Sequence, residues 1–194
     1  MDRTEAFILA GGASSRMGTD KSQLLIGGET FVERIAGTLF QVVEKVTIVG
    51  RESEDPRCGS VGDVFPKWGA LGGLHAALAS CHSEWALVVA CDLPFISAQL
   101  LERLTSKRLG FDAVVPQQPD GRPQPLTALY RVVPCRDKAA ELIREHKRRP
   151  LDLLESVNTY WLSFAEINDL DHAGEFFVNI NTREDYYEAT QKGT

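Results

Sequence analysis

Residues 9–21 form the stretch that decides the fold, and they read Leu9-Ala10-Gly11-Gly12-Ala13-Ser14-Ser15-Arg16-Met17-Gly18-Thr19-Asp20-Lys21. The apolar run Ala6 to Ala10 leads straight into the two glycines, which is typical of a buried strand that ends in a tight turn. Glycines at the end of a strand let backbone amides converge without obstruction by Cβ atoms, and Arg16 and Lys21 add positive charge beside them. The pattern predicts a phosphate-binding loop. The alternative is a plain strand-to-helix turn whose two cations are solvated.

The loop matches neither of the two common glycine-rich phosphate motifs. A Walker A loop that starts at Gly12 would require glycine at position 17 and lysine at 18, where Met17 and Gly18 stand. The G-x-G-x-x-G pattern fails because Ala13 occupies the place of the second glycine. Phosphate binding here is therefore predicted from the position of the loop and its charges.

Short apolar runs rich in β-branched residues alternate with amphipathic stretches along the rest of the chain. The runs predicted as strands are Ala6 to Ala10, Val46 to Val49, Trp85 to Ala90, Ala113 to Val115, Leu126 to Tyr130 and Phe176 to Ile180. Helices are predicted to begin at Thr30, which has Glu33 as its capping-box partner, at Ser97, at Pro134 and at Thr182. This alternation predicts an α/β fold with a mostly parallel central sheet between two layers of helices. Residues 51–62 are expected to form a single loop.

Composition and charge narrow the function classes. The chain has 194 residues, 43% hydrophobic and 25% charged, which predicts one soluble globular domain over residues 1–194. The formal charge of −6 disfavours extended nucleic acid as a partner, although a small anion such as a nucleotide stays compatible with a local nest of amides and cations. We expect no membrane span, because no apolar run approaches the required length.

The four cysteines point to a compartment rather than to a metal or redox site. Cys58, Cys81, Cys91 and Cys135 form no C-x-x-C pair, and no histidine stands at ligand spacing from any of them. Zinc ribbons and thioredoxin chemistry are therefore excluded. Reduced thiols without a signal peptide predict a cytoplasmic protein.

An aspartate follows the predicted strand Trp85 to Ala90, in the sequence Cys91-Asp92-Leu93-Pro94. Ligands of parallel α/β sheets bind beyond the carboxyl ends of the strands, and a carboxylate there suits Mg²⁺ carried by a polyphosphate. The alternative is an Asx turn ahead of Pro94. Asp92 is accordingly a candidate metal ligand.

Three motifs occur in order over nearly the whole chain: L-A-G-G-x-S-x-R-M-G-x-D-K at residues 9–21, C-D-x-P at 91–94 and N-I-N-T at 179–182. Together they resemble the molybdenum cofactor guanylyltransferases, and the resemblance implies a Rossmann-like three-layer nucleotidyltransferase fold. It implies transfer of GMP from GTP to molybdopterin, free or molybdenum-bound, with release of pyrophosphate and with Mg²⁺ as cofactor. It also adds molybdoenzyme maturation proteins to the expected partners.

The resemblance implies roles for individual residues. The backbone of Leu9, Ala10, Gly11 and Gly12 would hold the nucleotide, as would Asp63 in the sequence Gly62-Asp63-Val64. The catalytic residues would be Arg16 and Lys21, which neutralise the phosphates, and Asp92, which binds Mg²⁺. The residues expected at the pterin substrate are Arg122, Asn179 and Asn181, with a connecting loop and turn residues as the alternative.

Three positions depart from the family pattern. Gly50 follows the second strand where the family often has asparagine, Ala70 replaces the proline of G-P-L-A-G, and Arg183 replaces the proline after N-x-N-T. The basic run from Arg144 to Arg149 is expected to be a solvated helix end rather than a ligand site.

Two other activities and one binding role remain open from the sequence. A cytidylyltransferase acting on the same pterin and a sugar-phosphate nucleotidyltransferase share the fold, whereas a carrier of the finished cofactor would not turn over. The family resemblance separates the first of these, because the cytidine enzymes tend to read L-A-A-G, whereas Gly11 here leaves room beside the base. Release of pyrophosphate from GTP in the presence of molybdopterin separates these alternatives.

Overall fold

A seven-stranded sheet forms the centre of the molecule, with a small hairpin beside it. The computed structural model describes residues 4–11, 25–62, 64–65, 68–180 and 182–192. In chain order the strands are β1 (Thr4–Leu9), β2 (Leu25–Ile26), β3 (Glu29–Thr30), β4 (Val46–Val49), β5 (Gly59–Val61), β6 (Trp85–Ala90), β7 (Ala113–Pro116), β8 (Thr127–Arg131) and β9 (Thr159–Leu162). β2 and β3 pair with each other, and the other seven strands form the sheet.

The order of the strands across the sheet is β5-β4-β1-β6-β8-β7-β9. β8 is antiparallel to both of its neighbours, β6 and β7. The remaining pairs of the sheet are parallel. The mostly parallel sheet predicted from the alternation of elements is therefore confirmed.

Helices cover both faces of the sheet. They are α1 (Phe31–Leu39), α2 (Gly69–Ser80), α3 (Ala98–Ser106), α4 (Val132–Arg144), α5 (Pro150–Leu154) and α6 (Arg183–Lys192). Residues of β1 alternate between two cores: Ala6 and Ile8 pack with α1 and α3, whereas Phe7 and Leu9 pack with α2, α4 and α5. This confirms the three-layer α/β architecture. Within the described ranges, no helix has the length and apolar character needed to cross a membrane.

The predicted helix caps are present, with one shift. Thr30 forms the capping box with Glu33, whose amide lies 3.2 Å from the threonine hydroxyl. The Ser97 hydroxyl accepts the Leu100 amide at 3.2 Å. α4 begins at Val132, two residues before the proline that was predicted to open it. Proline is tolerated throughout the first helical turn, because amides there have no intrahelical partner.

Two predicted segments differ from the structure. The segment 51–62 contains β5, because residues 59–61 pair in parallel with β4. Residues 176–180 form a turn and an irregular segment instead of a strand: residues 176 and 177 lie in a turn, where the Val178 amide bonds to the Glu175 carbonyl at 3.0 Å, and residues 178–180 are irregular. Phe176 is buried in a turn, so apolarity there reflects burial alone.

A small third core joins distant parts of the chain. Ile26, Phe31 and Ile180 are fully buried in it, and the rings of Phe95 and Tyr186 pack against them. In addition, the Tyr186 hydroxyl donates a hydrogen bond of 2.8 Å to the carbonyl of residue 25 in β2. The hairpin that follows the glycine-rich loop is thereby attached to α6.

Candidate active site

The parallel strands β1, β4, β5 and β6 end at the same edge of the sheet, and hydrogen bonding continues beyond their last residues. The Ala10 amide donates to the Val49 carbonyl at 3.0 Å, and the Cys91 amide donates to the Leu9 carbonyl at 3.1 Å. The residues just after β1 and β6 are therefore held side by side. This edge brings Leu9, Ala10 and Gly11 next to the segment that carries Asp92.

The backbones that follow β1 and β4 approach each other very closely at Gly11 and Gly50. A Cβ built on Gly50 would lie 2.6 Å from the Cα of Gly11 and 2.8 Å from its nitrogen, and Gly50 has a φ of +90°. A Cβ on Gly11 would lie 3.2 Å from the Cα of Gly50. Gly50 therefore has no room for a side chain, and the neighbouring backbone constrains Gly11 as well.

α2 begins beside the end of β1. A Cβ on Gly73, in the first turns of α2, would lie 3.7 Å from the Leu9 side chain. Trp68 is the N-cap residue and provides no side-chain cap for the helix. Because the first amides of a helix have no intrahelical partner, this terminus adds positive potential at the same edge.

Asp92 lies half-buried at the centre of the edge. Its backbone carbonyl accepts a hydrogen bond of 3.0 Å from the Ile180 amide. The N-I-N-T segment is therefore bound directly to the aspartate loop. Asn179 precedes this contact and is exposed, so the structure brings Asp92 and Asn179 into one region.

The loop before β8 borders the other side of Asp92. The Ala90 amide donates to the Leu126 carbonyl at 2.7 Å, which ties the end of β6 to the start of β8. Arg122 is exposed in this loop, and its Nε donates to an Asp120 carboxylate oxygen at 2.6 Å. The pKa of the Asp120 carboxyl is lowered, first by the bond from the Arg122 amide and then by the guanidinium. Both side chains are exposed to solvent, so the Arg122 guanidinium can leave Asp120 and bind another anion.

Five of the predicted site residues lie outside the described residues. They are Gly12, Arg16, Lys21, Asp63 and Asn181. Their roles remain predictions from the sequence.

The described acidic residues indicate which kind of cation site this edge can form. No group of three or more His, Cys, Asp or Glu side chains that could hold a metal occurs in the part of the chain that the structure describes. Mg²⁺ commonly uses one or two carboxylates together with phosphate oxygens and water rather than a cage of protein ligands. The Asp92 carboxylate at this edge therefore fits a cation that arrives with a polyphosphate.

The basic run from Arg144 to Arg149 reaches this edge. The sequence predicted that this run is a solvated helix end. β8 runs away from the edge and α4 returns to it, so residues 145–149 lie near the start of α2. The Arg148 guanidinium stacks 5.1 Å from the centre of the Trp68 ring, and the His146 ring stacks on the same indole at 5.9 Å. The residues are exposed as expected, but Arg148 packs on the residue that precedes α2.

A mostly parallel sheet whose strand ends gather two closely packed glycines, a helix start and the Asp92 carboxylate is the arrangement at which α/β proteins commonly bind nucleotides. The family model described as "MobA-like NTP transferase domain" matches residues 6–158. The chain thus belongs to the MobA-like nucleotidyltransferases, and its full-length relatives place it among the molybdenum cofactor guanylyltransferases.

Two relatives and one solved structure illustrate this membership. Proteins named "Probable molybdenum cofactor guanylyltransferase" from Pelotomaculum thermopropionicum and Peptoclostridium acidaminophilum are 36% and 32% identical to this chain. The alignments cover 94% and 96% of this chain, and 89% and 90% of the relatives. The crystal structure of molybdopterin-guanine dinucleotide biosynthesis protein A from Archaeoglobus fulgidus superposes with a TM-score of 0.82 at 26% identity, covering 97% of each chain.

Proposed function

We propose that the protein transfers GMP from GTP to the terminal phosphate of molybdopterin, free or molybdenum-bound, and releases pyrophosphate. The names of its full-length relatives support this reaction. In the structure, the reaction is supported by the position of Asp92 between a nucleotide side and an acceptor side. β6, which leads to Asp92, lies between β1 and β8 in the sheet.

The nucleotide side of the site is formed by the segments after β1 and β4 and by the start of α2. Close packing of Gly11 and Gly50 leaves the backbone bare, so that a phosphate or base can approach the amides directly. The start of α2, where the Trp68 side chain caps no amide, adds a favourable potential for an anion. To this described frame we add Gly12, Arg16, Lys21 and Asp63 as nucleotide contacts, on the strength of the sequence motifs.

The acceptor side is formed by the loop before β8 and by the N-I-N-T segment. Arg122 projects from this loop with an exposed guanidinium that could hold the substrate phosphate by a bidentate contact. In the sequence, Asn179 and Asn181 stand on either side of Ile180, whose amide is bonded to the Asp92 carbonyl. GTP and molybdopterin would then meet at Asp92, with GTP bound on the β1 side of β6 and molybdopterin on the β8 side.

The chemistry requires alignment and charge neutralisation more than proton transfer. A phosphate monoester has a second pKa of about 6 and is largely dianionic at neutral pH, so its oxygen can attack the α-phosphorus without a general base. The new bond joins that oxygen to the α-phosphorus, and the bond from the α-phosphorus to the pyrophosphate oxygen breaks. Lys21 and Arg16 would neutralise the charge that develops on pyrophosphate.

Nucleotidyltransferases of this kind generally use a divalent cation. We assign Mg²⁺ to Asp92, whose single carboxylate suits a cation shared with the triphosphate. When bound, the cation would stabilise negative charge on the phosphates. One domain over residues 1–194 would carry the whole reaction.

The protein is proposed to act in the cytoplasm. All four cysteines are free thiols, which fits a reducing compartment. Its product would pass to molybdoenzymes, so maturation proteins of those enzymes are proposed partners, whereas nucleic acid and membranes are not.

A nucleotide panel tests the proposal. The purified protein is mixed with molybdopterin, Mg²⁺ and GTP, CTP or ATP in turn, and pyrophosphate and the dinucleotide product are measured. We expect both products with GTP and little with the other nucleotides. Turnover with CTP instead would make the protein a cytidylyltransferase, and binding without pyrophosphate release would make it a carrier.

A further inference from the structure

Gln124, in the loop before β8, carries a buried polar group that the fold does not use. Its side-chain nitrogen Nε2 is inaccessible to solvent, and no hydrogen-bond partner for it exists among the residues that the structure describes. The residue as a whole is only half-buried, so part of the side chain reaches the surface. A buried donor without an acceptor costs free energy, and native proteins keep few of them.

The backbone around Gln124 is held in place. The Gln124 amide donates to the Pro116 carbonyl at 2.9 Å, and its carbonyl accepts from the Thr127 amide at 3.1 Å. The buried Tyr130 hydroxyl donates to the next carbonyl, that of Pro125, at 2.6 Å. These three bonds fix the backbone of Gln124 and of the residue that follows it. The residue is thus fixed in position while its side-chain donor stays unused.

The location of Gln124 is on the acceptor side of Asp92. Two residues further along the chain, the Leu126 carbonyl accepts the Ala90 amide at the end of β6. β1, which leads to the glycine-rich loop, borders β6 on its opposite side. A group bound by Gln124 would therefore lie across Asp92 from the nucleotide.

We infer, on the basis of the proposed function, that the carboxamide of Gln124 is a specificity-determining contact for the heterocyclic ring of the acceptor substrate. A carboxamide presents an NH₂ donor beside a C=O acceptor, which matches a ring edge that carries a carbonyl or ring nitrogen next to an N–H. A phosphate would be served better by a cation, and Arg122 already stands in the same loop. The terminal torsion of glutamine is broad, and binding of the ring would require rotation about Cγ–Cδ to bring the donor toward the exposed part of the side chain.

Two substitutions separate recognition from folding. Gln124→Met keeps the length of the side chain and removes the unpaired donor, so its melting temperature should equal or exceed that of the parent. Its KM for molybdopterin should rise about tenfold, the loss of one hydrogen bond of ordinary strength, while its KM for GTP stays unchanged. Gln124→Glu replaces the donor by a charged acceptor and should raise the KM for molybdopterin further.

Gln117→Met is the matched control. Gln117 lies in the same loop, but its Nε2 donates to the Gly121 carbonyl at 3.3 Å. This variant should leave both KM values unchanged. Binding of molybdopterin without nucleotide, followed by pterin fluorescence, should show the same order: parent and Gln117→Met equal, and Gln124→Met weaker.

The outcomes that overturn the inference are distinct from those that overturn the function. If the parent forms dinucleotide but Gln124→Met retains the parental KM for molybdopterin, Gln124 does not contact the acceptor. Equal increases in the KM for GTP and for molybdopterin also overturn it, because the substitution would then act on the whole site. If the parent forms no dinucleotide with any nucleotide, the proposed function fails and the assignment of Gln124 fails with it.

Discussion

A Cβ atom on Gly50 would lie 2.6 Å from the Cα of Gly11, so the chain segments after β1 and β4 meet backbone to backbone. The two residues are 39 positions apart in the sequence. Their contact forms part of the surface on which the nucleotide is proposed to bind, and a single added methyl group would alter it.

Gly50→Ala should destabilise the protein and weaken GTP binding together. A positive φ costs an L-residue about 1 to 2 kcal/mol, and overpacking against the backbone adds about 1 to 3 kcal/mol. Urea unfolding and calorimetry with GTP measure the two effects. Gly37→Ala is the control, because this glycine lies in α1 with open space around it and alanine there should stabilise the helix by up to about 1 kcal/mol. Parental stability in Gly50→Ala would show that the two segments separate easily.

Asp92→Asn should lower turnover by roughly a hundredfold while the fold survives. Asparagine keeps the shape and one oxygen but removes the charge that would hold Mg²⁺. Rates of pyrophosphate release are measured across a Mg²⁺ titration, and raised Mg²⁺ should recover part of the loss. Asp171→Asn, at an exposed turn, serves as the control. Turnover at the parental rate at every Mg²⁺ concentration would make Asp92 a turn residue.

Lys21→Ala should weaken GTP far more than guanosine. The ammonium is expected to meet phosphate oxygens, and a charge-assisted hydrogen bond is worth roughly 1.5 to 3 kcal/mol. Calorimetry with both ligands gives the comparison, and Lys138→Ala on α4 provides a control for the loss of a surface cation. Equal losses for GTP and guanosine would place Lys21 away from the phosphates.

Glu166→Gln should reduce stability at pH 7 but not in strong acid. The Tyr160 hydroxyl at 2.6 Å is the main reason that the pKa of the Glu166 carboxyl falls to about 2, and bonds from Ser163 and Lys107 assist against the opposing effect of burial. The ordinary value is 4.5. Because the folded pKa lies below the unfolded one, the stabilisation is complete above about pH 5 and is lost as the pH falls toward 2.

The gap between parent and Glu166→Gln should therefore close between about pH 5 and pH 2. At pH 7 we expect about 1 kcal/mol, since a third of this side chain is exposed and solvent screens it. Urea unfolding at a series of pH values provides the curve. Glu102→Gln on α3, an exposed position, should show no such closure. A constant gap down to pH 2 would contradict the assignment.

The buried strands could be predicted from the sequence, and the edge strands could not. β4 and β6 were predicted with their observed bounds, because strands covered on both faces read as unbroken apolar runs. β5 and β9 lie at the two edges of the sheet and contain exposed or polar residues, so they lack that signal. α2 was not predicted either, because its own apolar residues and glycines lie on all sides of the helix and leave no amphipathic period.

The site divides in a similar way. Asp92 and the residues after β1 were predictable because a strand end marks the ligand edge of a parallel sheet. The constraint at Gly50 arises from an approach between segments far apart in the chain, so no local pattern reveals it. The same holds for Gln124, whose unused donor becomes visible only once the surrounding atoms are in place.

The third core, which joins α6 to the β2–β3 hairpin, has a consequence for the order in which the protein matures during translation. Every strand of the large sheet has been synthesised by residue 162, whereas Ile180 and Tyr186 follow later. A nascent chain that pauses between these points can assemble its sheet, but Ile26 and Phe31 then lack the contacts of Ile180 and Tyr186. The contacts of Ile180 and Tyr186 with the hairpin beside the glycine-rich loop form only after every strand of the sheet has been synthesised, so we expect competence to bind nucleotide to appear once residue 186 has left the ribosome.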